Sequence, residues 1–351
     1  MIRTTTDVSP AALAAHDAII DVRSPGEFAQ DHLPGAINLP VLTDAERVEV
    51  GTEYVQGSKF LARRRGAALV ARNIVAHLEG ALADRPAGFR PLVHCWRGGQ
   101  RSHALATVMD QVGWPVTVLE GGYRTWRRAV VEALYDRPLG LKLILLDGPT
   151  GCGKTALLGH LAARGTQTLD LEALANHRGS LFGAMPGGQP AQKLFESRLF
   201  AAIAALDPAR PVVVEGESSK VGARVLPRSV WEVMTVADAI EIDAPAEARA
   251  AYTVATYADI ATDPERVVAA LSRLPRHLPR TTVDGWRGLA AEGRMADLAL
   301  DLIRDHYDPA YRRAGSPRTG PRLGQISLTG MDPAALTAAA ARVESLLPQE
   351  N

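Results

Sequence analysis

The chain has 351 residues, 46% hydrophobic and 22% charged, with 39 basic residues balanced by 39 acidic ones. That length accommodates two domains with separate cores, and the composition excludes a disordered, fibrous or membrane-embedded chain. Zero formal net charge means that a polyanion could be held only by a local patch.

Two cysteines, Cys95 and Cys152, both in glycine-rich stretches, argue against a disulfide framework and for a reducing compartment. Residues 1–7 lack the apolar core of a signal peptide, and no apolar run is long enough to span a bilayer. A cytoplasmic location without a membrane partner is therefore expected.

In chain order, a short helical pattern ends near His16, and residues 18–23 read as a buried parallel strand, apolar on both faces. Ser24 and Glu27 have the spacing of a helix N-cap pair. Residues 32–40 supply a turn and a short strand, and a long helical stretch is expected from about Val55 to Leu82, carrying Arg63, Arg64 and Arg65. Residues 91–93 end a strand, a polar glycine-bearing loop follows, and a helix begins at His103. Another strand at 116–119 is closed by Gly121-Gly122-Tyr123, and Trp126 opens the next helix. This alternation predicts an α/β domain over residues 1–135 with a mostly parallel sheet and its chemistry at the strand C-termini.

The chemical centre of that domain is the loop His94-Cys95-Trp96-Arg97-Gly98-Gly99-Gln100-Arg101-Ser102. Cys95 sits where a strand hands over to a helix N-terminus, where converging amides and the helix dipole favour negative charge. Gly98 and Gly99 let the loop curl into an anion cradle. With Arg97 and Arg101 beside it, the thiol is expected to be a thiolate near neutral pH, and Cys95 is the candidate nucleophile.

These residues, with Asp21-Val22-Arg23, Glu27-Phe28, the run at 32–38 and Gly121-Gly122-Tyr123 with Trp126, resemble the rhodanese domain. The resemblance implies that Cys95 carries sulfur or selenium. Five residues separate Cys95 from Arg101, one more than in common sulfurtransferase rhodaneses. The same spacing is found in tyrosine and dual-specificity phosphatases, so the loop suits a tetrahedral anion and does not by itself separate a phosphatase from a chalcogen transferase.

Beyond a short connection at 136–140, residues 141–147 form an apolar strand that runs into Gly148-Pro149-Thr150-Gly151-Cys152-Gly153-Lys154-Thr155 and a helix. This is a P-loop in its required context. Gly148, Gly151 and Gly153 let the amides wrap a diphosphate, Lys154 neutralises it, and Thr155 can hold Mg²⁺. A second P-loop domain is expected over residues 140–310, with strands at 166–172, 211–217 and 239–245. Glu215 is a candidate acid or metal ligand, and Glu247 and Arg249 lie on the helix after the last of these strands. Residues 311–351 read as an Arg-rich segment followed by a C-terminal helix. Arg312, Arg313, Arg318 and Arg322 are candidates for phosphate-backbone contact, as are Arg273, Arg276 and Arg280 further upstream.

The run at 171–183 with Gln189-Pro190-Ala191-Gln192-Lys193-Leu194-Phe195-Glu196, behind a long-loop rhodanese, resembles the tRNA 2-selenouridine synthase family over roughly residues 10–325. The resemblance implies a tRNA with 2-thiouridine at the wobble position. Its sulfur is geranylated from geranyl diphosphate, and the S-geranyl group is then displaced by selenium from selenophosphate. No tightly bound cofactor is implied. An enzyme that supplies selenophosphate is a candidate partner, and Leu181, Phe182 or Phe195 could line a prenyl slot. Two rival readings stay open: an ATP-dependent small-molecule or nucleotide kinase with a regulatory rhodanese module, and a Cys-dependent phosphatase.

Overall fold

The computed structural model describes residues 1–216, 218–274, 278–314 and 319–348. The chain divides into two compact units, Met1–Arg137 with Pro190–Ala205, and Pro138–Gln189 with Leu206–Asn351.

The first unit is built on β1 (Arg3–Thr5), β2 (Ala18–Asp21), β3 (Ile37–Asn38), β4 (Pro91–His94) and β5 (Thr117–Leu119), in the order β1-β5-β4-β2-β3. Every pairing is parallel. Central β4 is buried at all of its positions, His94 included, as apolar Leu92 and Val93 demand when helices cover both faces. Ile20, Val93, Leu105, Met109 and Val118 form the heart of this core. Buried Arg23 is held by Asp21 through Nε and Nη2 and donates from Nη2 to the Asp31 carbonyl at 2.6 Å, so its charge is matched inside the protein.

The helix expected over residues 55–82 is instead two, Asp44–Gln56 and Lys59–Glu79. Thr43 and Glu46 form a capping box that starts the first helix earlier, and Ser58 starts the second by accepting the Leu61 amide at 3.3 Å. Helix Gln192–Ala204 also belongs to this unit. Trp126 Nε1 donates to Ser197 Oγ at 2.9 Å and the indole packs edge-on against Phe200. Phe195, on that helix, is fully buried.

The second unit contains β6 (Leu143–Asp147), β7 (Thr168–Leu169), β8 (Val212–Glu215), β9 (Lys220–Val221), β10 (Arg224–Val225), β11 (Asp238–Asp243) and β12 (Arg322–Ser327). Its main sheet is parallel throughout, in the order β12-β11-β6-β8-β7, while β9 and β10 form a small antiparallel pair. The strand expected over 166–172 shortens to β7 because Asp170 turns to cap helix Leu171–Ala175, accepting the Ala173 amide at 2.7 Å. The C-terminal segment holds more than a helix: β12 completes the sheet edge. Helix Pro333–Leu346 buries Leu336, Ala339, Ala340 and Val343 in the same core as Leu157 and Leu161. Among the described residues, no helix is long and apolar enough to cross a membrane.

Candidate functional site

Two anion loops lie at the C-terminal ends of central strands, one in each unit. In the first unit β4 delivers Cys95, and Gly99 caps helix Gln100–Val112. Gly98 has φ +64°, and a Cβ there would sit 2.7 Å from the Leu119 carbonyl oxygen, so only glycine fits this curl. The Gly99 amide and the Ser102 hydroxyl each lie 3.3 Å from Cys95 Sγ. Burial pushes the thiol pKa up, but the Ser102 hydroxyl and the amides of Arg97, Ser102 and Gly99 outweigh it and hold it below the ordinary thiol value.

The amides expected at this helix N-terminus are among the groups that lower the thiol, and the Ser102 hydroxyl joins them. Arg101 donates to Glu27 at 2.7 and 3.3 Å and also feels the charge of Cys95, while Arg97 acts on the thiol through its backbone. Glu27, read from sequence as a capping residue, is also the anchor of Arg101. The cleft above Cys95 has a volume of about 610 Å³ and is lined by Glu27, Arg47, Trp96, Arg97 and Arg101, with no aspartate among its described walls. Trp96, which sequence reading passed over, stands at its rim, packed against Tyr123 with ring centroids 5.1 Å apart.

In the second unit β6 runs into the P-loop, and Lys154 opens helix Lys154–Ala163. Gly148 has φ +148°, and a Cβ there would meet the Ile242 carbonyl oxygen at 2.2 Å. Lys154 Nζ curls back to the Gly148 carbonyl at 2.8 Å, the Gly148 amide donates to Asp147 Oδ1 at 2.9 Å, and Gly148, Gly151, Gly153 and Lys154 all line the cavity at the loop. Thr155 Oγ1 donates to Glu172 Oε2 at 2.9 Å. That pair supplies two hard oxygen donors at the loop mouth, the set that suits Mg²⁺.

Glu215 is fully buried at the end of β8 and accepts the Leu171 amide at 3.1 Å. Glu172, not Glu215, is the carboxylate that meets Thr155. Arg249, also buried, donates to the Thr150 carbonyl at 3.0 Å and to both carboxylate oxygens of Asp308 at 3.1 and 2.6 Å. It braces the loop and is not a free finger for phosphate. Cys152 is fully buried in the core beneath.

The P-loop forms one end of a cavity of about 900 Å³. The other end is apolar, walled by Leu181, Phe182, Tyr257, Val267, Leu298 and Tyr307. Two of the three residues considered for a prenyl slot, Leu181 and Phe182, line it; Phe195 lies in the core of the other unit.

The arginine cluster is not brought together as one set. Arg312 and Arg313 are exposed on the last turn of helix Asp308–Ala314. Arg322 begins β12 and is paired with Glu241, while Arg318 and Arg276 lie outside the described residues. Arg273 lines the cavity, and Arg280 is exposed near Asp284. No cluster of three or more metal-ligating His, Cys, Asp or Glu exists among the described residues.

Comparison with known proteins agrees with both halves of this description. Residues 9–129 match the model of the rhodanese-like domain, and residues 141–271 that of the tRNA 2-selenouridine synthase AAA domain. The tRNA 2-selenouridine synthase of Nitrosomonas europaea is 32% identical, over 90% of this chain and 80% of its own length. The Psychromonas ingrahamii enzyme of that name is 30% identical over 84% and 87%, and that of Proteus mirabilis 38% identical over 70% and 67%. On this similarity along most of its length, with both anion loops in place, the chain belongs to the tRNA 2-selenouridine synthase family.

Proposed function

We propose that this enzyme converts 2-thiouridine at the wobble position of tRNA into 2-selenouridine, with geranyl diphosphate and selenophosphate as co-substrates. The observation that carries the reading is the cavity of the second unit, with a diphosphate loop at one end and an apolar wall at the other. Its volume of about 900 Å³ lies within the range of small-molecule sites. A prenyl diphosphate has that polarity, charged at one end and hydrocarbon at the other. A nucleoside could meet the polar part of the lining, His177, Arg178 and Ser180, but would leave the apolar stretch of wall unmatched, which a geranyl chain fills.

In the first step the uridine sulfur attacks C1 of geranyl diphosphate, the C–O bond breaks, and diphosphate leaves. Lys154 and the amides of the P-loop stabilise the leaving charge. Mg²⁺ held by Thr155 and Glu172 would add to that stabilisation. In the second step selenium from selenophosphate replaces the S-geranyl group. One water completes the exchange, and the products are 2-selenouridine, geranyl thiol and inorganic phosphate. In this exchange Cys95 Sγ bonds to C2 of the base as geranyl thiol leaves, selenium then displaces Cys95 from C2, and the water takes phosphate off selenium; the amide cradle around Cys95 takes the phosphate end of selenophosphate. The absence of an aspartate from the described cleft walls and the engagement of Arg101 by Glu27 weigh against the phosphatase reading. Exposed Arg312 and Arg313 offer cations to the tRNA backbone, and an enzyme making selenophosphate is the natural supplier.

The test is mass spectrometry of tRNA nucleosides from cells with and without this chain. Loss of both the geranylated and the selenated wobble uridine is expected, and retention of either refutes the two-step scheme. Cys95→Ala should still geranylate and should stall before selenation.

A further inference from the structure

The first unit carries an exposed apolar patch that its own fold leaves uncovered. At the junction of helices Asp44–Gln56 and Lys59–Glu79, Val55 is 81% exposed and Phe60 71%, with Tyr54 and Leu61 exposed beside them. Three exposed cations share this tip. Lys59 Nζ and the Arg63 guanidinium each lie 5.8 Å from the centre of the Tyr54 ring, and Arg64 follows. None of the three is in an ion pair among the described residues, whereas neighbours farther along the hairpin are: Arg65 pairs with Glu49, and Arg72 with Glu46 at 3.0 Å.

The tip is continuous with the Cys95 cleft. Arg47 lines that cleft, and Tyr54 follows it by seven residues on the same helix, two turns on and on the same face. At 1.5 Å per residue the tip begins about 10 Å from the cleft wall. That is roughly three stacked nucleotides at about 3.4 Å each.

We infer that this tip is a docking surface for single-stranded RNA, namely the anticodon-loop nucleotides flanking the base presented to Cys95. The inference rests on the tRNA reading above. Exposed aromatic rings beside unpaired cations are the combination that holds unpaired nucleotides, bases stacking on the rings and phosphates meeting the cations. Against three cations the tip sets one carboxylate, Glu53, which is turned to the Ser58 amide at 3.0 Å, and this excess of positive charge around the apolar centre favours a polyanion over a protein partner.

The experiment measures binding of the full chain to 2-thiouridine-bearing tRNA and to the isolated anticodon stem-loop, across a salt series. Two variants are compared with wild type: Tyr54→Ala/Phe60→Ala, and Lys59→Ala/Arg63→Ala/Arg64→Ala. All five side chains are exposed, so folding should survive, and thermal unfolding checks that it does.

The aromatic variant should bind both RNAs about tenfold or more weakly with an unchanged salt slope. The cationic variant should lose about 2 from the slope of log affinity against log salt. Wild-type affinity and slope in both variants, with wild type itself binding tRNA, would overturn this surface and leave the tRNA reading intact. Failure of wild type to bind tRNA would overturn the reading as well. RNA binding that is unchanged while the aromatic variant loses a wild-type dimer in sedimentation would assign the patch to a second copy and overturn the proposal.

Discussion

Ser102→Ala isolates the contribution of one hydroxyl to the reactivity of Cys95. The Ser102 oxygen lies 3.3 Å from Cys95 Sγ and 3.0 Å from the Gly99 carbonyl, and its single proton serves both acceptors. A hydrogen bond to a charged group contributes about 1.5–3 kcal/mol, which would correspond to about one to two pKa units. Because the proton is shared, the lower end applies, and Cys95 should titrate about one unit higher in the variant. Cys95 is only 4% exposed, so solvent does little to replace the lost bond. Alkylation by iodoacetamide, followed at Cys95 by mass spectrometry from acid to alkaline pH, gives the profile directly. Below the pKa the Ser102→Ala rate should fall about three- to fourfold at each pH, since the variant has about tenfold less thiolate but each thiolate is about threefold more nucleophilic. If the two profiles overlay in a protein that melts like wild type, the hydroxyl plays no part and the amides alone set the thiol.

Glu27→Gln should do the reverse: it leaves the Arg101 charge unmatched beside the thiol, and the same assay should show Cys95 ionising at lower pH. Lys154→Ala should slow geranylation of 2-thiouridine about a hundredfold, the usual effect of losing one contact to a developing charge, while iodoacetamide labelling of Cys95 stays at the wild-type rate. His94 is wholly buried, and burial, the largest influence, depresses its pKa despite Asp21 at 3.8 Å. The unfolded chain therefore takes up this proton first, and stability should fall as pH drops through about 6.5, read as a lower urea midpoint for the first unit at pH 5.5 than at pH 7.5.

Both anion loops were legible in the sequence because local chain geometry makes them: an apolar strand, glycines at curl positions and a helix start are all encoded within a dozen residues. What was not legible depends on contacts distant in sequence. Arg101 looks like a guanidinium aimed at Cys95 until the fold brings Glu27, 74 residues earlier, against it. Glu215 has the strand-end position of an acid, and that its Oε2 accepts the Leu171 amide depends on a stretch of chain 44 residues earlier. Phe195 is as apolar as Phe182, and no local pattern says that its helix covers the first unit while Phe182 lines the cavity of the second. The apolar end of that cavity is assembled from five separate stretches of chain, so its shape has no signature in any one of them. The break at Gly57-Ser58 was readable, since Thr43 and Glu46 form a capping box and Ser58 an N-cap, but a periodic apolar pattern across it hid the punctuation.

The two loops solve opposite electrostatic problems. A leaving diphosphate gains from as much positive charge as the site can supply, and the P-loop places Lys154 at the wall of the cavity. A thiolate nucleophile gains only until it is ionised at working pH. Beyond that point each further drop in pKa lowers its intrinsic nucleophilicity, with a sensitivity of about 0.4–0.5. Neutral donors, one hydroxyl and a few amides, lower the pKa, and Glu27 offsets part of the Arg101 charge that acts on the thiol. On this view the Glu27–Arg101 pair tunes the loop. The Glu27→Gln thiolate should be more abundant at low pH and yet slower per thiolate, so its plateau rate in alkaline solution should lie below that of wild type.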